Sequence, residues 1–215
     1  MTTQLWFFII ISLVVFKYLF SNILDYVNHK NWKDEIPHEL KDYYNLEKYK
    51  KAKHYALTKN RIGLLSSSIS FLFIISLLAF NGYGVIDRFV NSNIFVSFLP
   101  TDNNLSFIQS GVFFSILFIL NSIISIPFSY YNTFIIEEKF GFNNTTKSTF
   151  FIDLIKSTLL SFFIGGILLF LALYLYDNLN EGFWLWLWIG LSLLMIFINM
   201  LYADLIVPIF NKLSP

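Results

Sequence analysis

The chain alternates between long apolar stretches and short polar segments. Five of the apolar stretches are long enough to cross about 30 Å of hydrocarbon, which takes roughly 20 helical residues. They cover residues 5–24, 62–80, 107–131, 154–176 and 183–202. Backbone groups in lipid must be hydrogen-bonded within their own segment, so each stretch is predicted to be an α-helix. The pattern predicts an all-α fold: a polytopic integral membrane protein with about five transmembrane helices, in a single membrane domain over residues 1–215.

The first apolar stretch is predicted to be a retained span and not a secretory signal peptide. Its apolar run is longer than that of a signal peptide, no basic segment precedes it, and no small-residue cleavage site follows it.

Composition agrees with a membrane protein. Hydrophobic residues make up 56% of the chain and charged residues 13%, whereas a soluble domain carries about 25% charged residues. The net charge is +1, so the chain has no general basic field and no nucleic-acid partner is expected. Cysteine is absent, which excludes disulfides, a thiol nucleophile and a cysteine metal site.

The charged residues are concentrated in one segment. Fourteen of them lie between His29 and Arg61, and fifteen are spread over the rest of the chain. The predicted inside segments are residues 28–61, 132–153 and 203–215. Together with the adjoining Lys156 they carry thirteen Lys and Arg residues, whereas the opposite side has only Arg88 when Lys17 within the first span is set aside. Because Lys and Arg are enriched in cytoplasmic loops, the N-terminus is predicted outside and the C-terminus in the cytoplasm.

Because five spans are predicted to cross a membrane, the lipid bilayer is an expected partner. Low Arg with abundant Lys, Asn, Ile and Phe suggests an AT-rich genome and favours a bacterial inner membrane, with the endoplasmic reticulum membrane as the alternative.

The first inside segment is predicted to hold an interfacial or capping helix of roughly 20 residues. Pro37 followed by Glu39 suits the first turn of a helix. Residues Leu40, Tyr44, Ala52, Tyr55 and Ala56 can then share one face, with Lys and Glu elsewhere. A solvated charged loop is the alternative.

The second inside segment is predicted to turn at Gly141, between Phe140 and Phe142, because glycine accepts the conformation that a tight turn needs. Asn144 or Thr145 is expected to cap the fourth span. Gly165 and Gly166 within that span are expected to allow close approach of a neighbouring helix.

The sequence motifs, taken by themselves, do not identify a chemical reaction. The histidines are His29, His38 and His54, and the chain contains no HExxH, no glycine-rich phosphate loop and no GxSxG. Glu137 and Glu138 are adjacent, and neighbouring residues on a helix point about 100° apart, so they are not a natural acid–base pair.

Three stretches together resemble one family. They are IPHELKDYYNLEKYKKAKHYALTKNRIG, FIIEEKFGFNNTTKSTFFIDLIK and LYADLIVPIFNKLSP, which occur in this order and extend the resemblance over essentially the whole chain. The family is the type 1 CAAX prenyl proteases, which are integral-membrane zinc metallopeptidases.

The resemblance implies seven membrane helices around a water-filled chamber and cleavage near the C-terminus of a prenylated protein or of another membrane-associated peptide. It also implies a zinc held by two His of an HExxH helix and a downstream Glu, with the HExxH glutamate activating the zinc-bound water.

This chain ends at Pro215, before the place where the family's HExxH segment would begin. We therefore expect an N-terminal membrane domain that is inactive alone, with no catalytic or metal-binding residue, no cofactor of its own, and zinc in the full-length protein. Its expected partners are the catalytic C-terminal part of the same protein and a peptide substrate, prenylated or not. A non-catalytic membrane scaffold or a transporter-like protein is the alternative.

The resemblance implies that the chain forms chamber walls. The residues carried over from the family motifs are expected to dock the inside segments against the catalytic part, with substrate contact as the alternative role. They are Pro37, Glu39, Leu40, Ala52, Tyr55, Glu137, Glu138, Lys139, Gly141, Phe142, Asn143, Thr145, Asp153, Lys156, Pro208, Phe210, Asn211 and Lys212.

Overall fold

We describe the fold from a computed structural model of the chain. The described residues are 3–36, 45–98, 105–179, 182–202 and 206–210, and within them the protein is helical and has no strand. The helices are α1 (Thr3–Asn31), α2 (Leu46–Ala79), α3 (Gly82–Val90), α4 (Asn93–Val96), α5 (Leu105–Tyr131), a π-helix (Asn132–Glu137), α6 (Glu138–Phe140), α7 (Lys147–Asn178), α8 (Phe183–Leu201) and α9 (Val207–Phe210).

Five helices in the described part of the chain are long and apolar enough to cross a membrane. They are α1 from Gln4, α2, the continuous stretch Leu105–Phe140, α7 and α8. The all-α polytopic fold predicted from the apolar pattern is confirmed. Several spans are longer than predicted, because polar residues at their ends remain helical.

α2 runs without a break from the charged segment into the second apolar stretch. Asn45 caps its start, since the side-chain oxygen of Asn45 accepts a hydrogen bond from the backbone N–H of Lys48 at 2.8 Å. The helix predicted in the first inside segment is therefore confirmed from Leu46 onwards. Between Leu46 and Ile62 it is an extension of the span and not a separate helix. Its predicted beginning at Pro37 lies outside the described residues.

The chain divides into two compact units. Unit 1 comprises Met1–Phe95 and Ser115–Asn143, and unit 2 comprises Val96–Phe114 and Asn144–Pro215. The single membrane domain expected from the sequence stays a prediction.

In unit 1, α1 packs against α2. The Tyr18 hydroxyl and the Ser68 hydroxyl are hydrogen-bonded at 2.7 Å, and the Tyr18 ring stacks on Phe71 with 4.2 Å between ring centroids. The buried hydrophobic side chains found among the described residues also belong to this unit: Ile86, Val90, Ile136 and Phe140. Most other apolar side chains are at least partly exposed, as expected for spans whose outer surfaces face lipid.

In unit 2, α7 packs against α8 at Gly190, which the sequence pattern does not distinguish from the other glycines. A Cβ on Gly190 would lie 2.9 Å from Leu171 Cδ2, whereas a Cβ on Gly165 or Gly166 would meet nothing within 4 Å. The prediction for Gly165 and Gly166 is therefore wrong. α7 is apolar on nearly all sides of its span, so the sequence does not show which side faces the neighbouring helix.

The cap of α7 also differs from the prediction by one residue. Thr146 occupies the N-cap position, and its hydroxyl accepts a hydrogen bond from the Thr149 N–H at 3.1 Å. Asn144 and Thr145 precede it. Any of these residue types can cap a helix, so their sequence alone did not determine which one does.

Candidate functional site

The polar ends of α1 and α2 form an arm, which we define as residues 25–36 and 45–61. Residues 46–61 of α2 extend about 24 Å beyond the apolar part of the helix, at 1.5 Å per residue. Trp32 Nε1 donates to the Tyr49 hydroxyl at 2.8 Å, and Lys53 Nζ donates to the Trp32 carbonyl at 2.7 Å. These two bonds hold the end of α1 against α2.

An ion pair at the arm joins Lys53 to Asp34, with 2.6 Å between Nζ and Oδ1. Hydrogen bonding to Lys53 holds the pKa of the Asp34 carboxyl below its usual range. The Asp34 side chain is 81% exposed, so solvent screens the pair and its contribution to stability is small.

A second set of contacts joins α2 to the end of the third span, and we call it the Glu137 cluster: Tyr55, Lys59, Glu137, Phe140 and Phe142. Glu137 Oε1 accepts hydrogen bonds from the Tyr55 hydroxyl at 2.7 Å and from Lys59 Nζ at 2.9 Å. Lys59 Nζ also donates to the Tyr55 hydroxyl at 3.0 Å. The two predicted inside segments therefore meet at one carboxylate within unit 1.

The π-helix presents Glu137 to α2. Glu137 is its last residue, and the preceding Ile136 is 2% exposed, which anchors the segment. The Glu137 carbonyl accepts the Phe142 N–H at 2.8 Å. Gly141 between them has φ +80°, the left-handed conformation typical of a helix end. The turn predicted at Gly141 is confirmed.

Aromatic contacts surround the same carboxylate. The Tyr55 ring lies edge-on to Phe140, with 5.1 Å between centroids, and edge-on to Phe142 at 5.0 Å. Lys59 Nζ lies 5.2 Å from the centre of the Tyr55 ring. Tyr55 therefore combines a hydrogen bond, aromatic packing and a cation–π contact.

The neighbouring motif residues face other partners. Asn143 Nδ2 donates to Glu138 Oε2 at 2.8 Å, and Lys139 Nζ lies 5.7 Å from the centre of the Phe140 ring. Glu137 and Glu138 thus accept hydrogen bonds from different groups, because neighbouring side chains on a helix point in different directions.

A third set of contacts lies in unit 2, and we call it the Lys156 cluster: Asp153, Lys156, Ile209 and Phe210. Lys156 Nζ donates to the Ile209 carbonyl at 2.7 Å and lies 3.7 Å from Asp153 Oδ1. The same nitrogen is 6.0 Å from the centre of the Phe210 ring. α9, which contains Pro208, is thereby fixed to the first third of α7.

The remaining motif residues are less informative. Ala52 is exposed on α2, and Thr145 directly precedes the cap of α7. Pro37, Glu39, Leu40, Asn211 and Lys212 lie outside the described residues. The docking role assigned to the motif residues stays a prediction.

Two members of the Glu137 cluster, Lys59 and Phe140, were not predicted as site residues from the sequence. Lys59 lies four residues after Tyr55, and side chains at that spacing share one face of a helix. This spacing could have identified Lys59 once Tyr55 had been selected. Phe140 is adjacent to Gly141 in the sequence, but its burial depends on the π-helix. Nothing in the sequence therefore identified it as a member of the cluster.

The described residues contain no group of three or more His, Cys, Asp or Glu that could hold a metal. The His29 ring stacks on Trp32 with 6.4 Å between centroids, and the His54 ring lies 5.4 Å from Phe140. His38 lies outside the described residues. The two described histidines therefore contact aromatic rings, and no set of metal ligands surrounds them within the part of the chain that the structure describes.

Comparison with known proteins gives a match to a family model described as CAAX prenyl protease N-terminal, five membrane helices, over residues 25–212. The five helices of that description agree with the five candidate spans found here.

Individual relatives give the same result. The chain is 32% identical to a CAAX prenyl protease 1 homolog of Dictyostelium discoideum over 98% of this chain and 49% of that protein. It is 26% identical to CAAX prenyl protease 1 of Saccharomyces cerevisiae over 98% of this chain and 47% of that protein. Among solved structures, the crystal structure of S. mikatae Ste24p matches with a TM-score of 0.81 and 25% identity, over 98% of this chain and 49% of that one. The chain spans about half the length of the curated relatives it matches.

Proposed function

The chain belongs to the family of CAAX prenyl protease N-terminal regions, and on this premise we propose that it is the membrane half of a zinc metalloendopeptidase. The substrates would be CAAX-type prenylated C-termini or other membrane-associated peptides. Zinc would be held by the part of the protein outside this chain, where it would supply an activated water. This chain would form chamber walls and dock the catalytic part.

The Glu137 cluster is the observation that carries this proposal. It joins two of the three stretches that bear the family motifs, and it holds them together within unit 1. A carboxylate shared by a tyrosine and a lysine on another helix fixes both backbones. The arm, which includes Tyr55 and Lys59 of this cluster, extends about 24 Å beyond the apolar part of α2 and gives a catalytic part a rigid surface to bind.

The proposed orientation places the arm and the Glu137 cluster in the cytoplasm, as the distribution of Lys and Arg favours. The chain is an integral membrane protein. The relatives described above come from eukaryotes, which supports the endoplasmic reticulum membrane over the bacterial inner membrane favoured by residue usage.

The first test is the reading frame downstream of codon 215. An open frame that encodes HExxH supports the proposal, and a natural stop at that codon would favour the scaffold alternative. The decisive measurement is peptidase activity and zinc content of the longer protein beside those of the purified 215-residue chain. We expect activity and zinc only in the longer protein. Cleavage by the 215-residue chain alone, or solute flux through it in liposomes, would contradict the proposal.

A substitution of Glu137 tests the docking role separately. Glu137→Gln in the membrane half should weaken its recovery with a separately expressed catalytic half, because Lys59 and Tyr55 lose their shared anionic acceptor. Asp177→Asn is the matched control, because Asp177 is an exposed acid near the C-terminal end of α7. Equal recovery of the parent and both variants would exclude Glu137 from docking.

A further inference from the structure

Lys156 connects two parts of the chain that are far apart in sequence. It lies in the third turn of α7, and its Nζ donates to the carbonyl of Ile209, 53 residues later. The last carbonyls of any helix have no donor within the helix. α9 has four residues, so an external donor such as Lys156 supplies what α9 itself cannot.

Two further contacts make this attachment specific to a cation. Asp153 Oδ1 lies 3.7 Å from Lys156 Nζ, one turn earlier on α7, and orients it. The Phe210 ring lies 6.0 Å from the same nitrogen, within the range of a cation–π contact. A neutral side chain of similar length would retain the packing and lose all three polar contacts.

We propose that Lys156 is a positioning residue of the protease: it fixes α9 against α7 and thereby sets the direction in which the chain continues beyond residue 210 into the catalytic part. This inference rests on the proposed function. Under the proposed function, the catalytic groups would follow α9 in the sequence. A small change in the direction of α9 would displace them relative to the membrane half.

The first experiment measures the attachment without any activity. The chain has no cysteine, so Tyr174→Cys and Ile209→Cys place two spin labels at exposed positions on α7 and α9. Tyr174 lies about 27 Å along α7 from Lys156, which suits double electron–electron resonance. We expect a narrow distance distribution in the parent chain, a broad one with Lys156→Met, and a narrow one again with Lys156→Arg, which restores a donor. The matched control is Lys147→Met, an exposed lysine in the first turn of the same helix.

The second experiment measures kinetics in the longer protein. A displaced catalytic part should lower kcat by about 10-fold or more with Lys156→Met, while KM stays within about twofold and zinc content is unchanged. Lys156→Arg should recover most of kcat, and Lys147→Met should match the parent.

The two experiments separate the possible failures. If the unmodified longer protein cleaves nothing, the proposed function fails, whatever the label distances show. If that protein is active and Lys156→Met leaves either the label distances or kcat unchanged, the positioning role of Lys156 is overturned.

Discussion

Tyr55 and Glu137 are separated by 82 residues, and the Tyr55 hydroxyl donates to Glu137 Oε1 at 2.7 Å. Lys59 binds the same oxygen from one turn further along α2. The pair therefore links the polar end of the second span to the polar end of the third. A single carboxylate fixes the π-helix, and with it the motif that follows.

The first prediction concerns this pair. Tyr55→Phe removes the hydroxyl donor and keeps the ring that packs on Phe140 and Phe142. We expect the free energy of unfolding to fall by about 1 kcal/mol, the net value of a typical intramolecular hydrogen bond. The measurement is reversible unfolding of the chain in mixed micelles, followed by circular dichroism.

Tyr26→Phe serves as the control for that change. Tyr26 is 65% exposed on α1, and loss of an exposed hydroxyl should leave the unfolding free energy unchanged within error. Equal losses in both variants would show that the Tyr55 hydroxyl has no special role.

Gly141 gives the second prediction. Its φ is +80°, and nothing lies within 4 Å of the place that a Cβ would occupy, so a side chain there meets backbone strain but no steric clash. Gly141→Ala should cost about 1–2 kcal/mol of unfolding free energy, and Gly141→Asn less, because asparagine tolerates the left-handed conformation better. Gly165→Ala is the control: it adds the same methyl group in open space inside a helix, where alanine is favoured. A loss at Gly165 equal to that at Gly141 would contradict the backbone explanation.

The third prediction tests the α7–α8 contact. Gly190→Ile adds a branched side chain where even a Cβ would approach Leu171 Cδ2 to 2.9 Å. Overpacking of this kind costs about 1–3 kcal/mol. Gly166→Ile should cost less, because its side chain enters open space. Unfolding of both variants under identical micelle conditions gives the comparison, and a larger loss at Gly166 would exclude the packing assigned to Gly190.

The fourth prediction tests the orientation. Single cysteines replacing Lys33 and Lys147 should react with a membrane-impermeant maleimide from the same side of sealed vesicles, and a cysteine replacing Arg88 from the opposite side. All three positions are exposed, and the chain has no cysteine to interfere. Labelling of position 88 together with position 33 would overturn the orientation derived from the Lys and Arg distribution.

The sequence predicted the five spans because the apolar requirement of a membrane span is strong and local. Gly141 was also predictable, since few residues accept its conformation. By contrast, other features could not be predicted from the sequence. The cap at Thr146 depends on competition between nearly equivalent residues. The continuity of α2 and the close approach at Gly190 depend on how the helices extend and rotate against their neighbours. The partnership of Lys59 with Glu137 depends on tertiary contacts that no local pattern contains.

The distance in sequence between Tyr55 and Glu137 also has a consequence for biosynthesis. Ribosomes add about 5–20 residues per second, so Glu137 is synthesised about 4–16 s after Tyr55. During that interval the second span enters the membrane with Lys59 lacking its counter-ion. The Glu137 cluster can be completed only when the third span has been inserted, which makes the order of insertion part of how this protein is assembled.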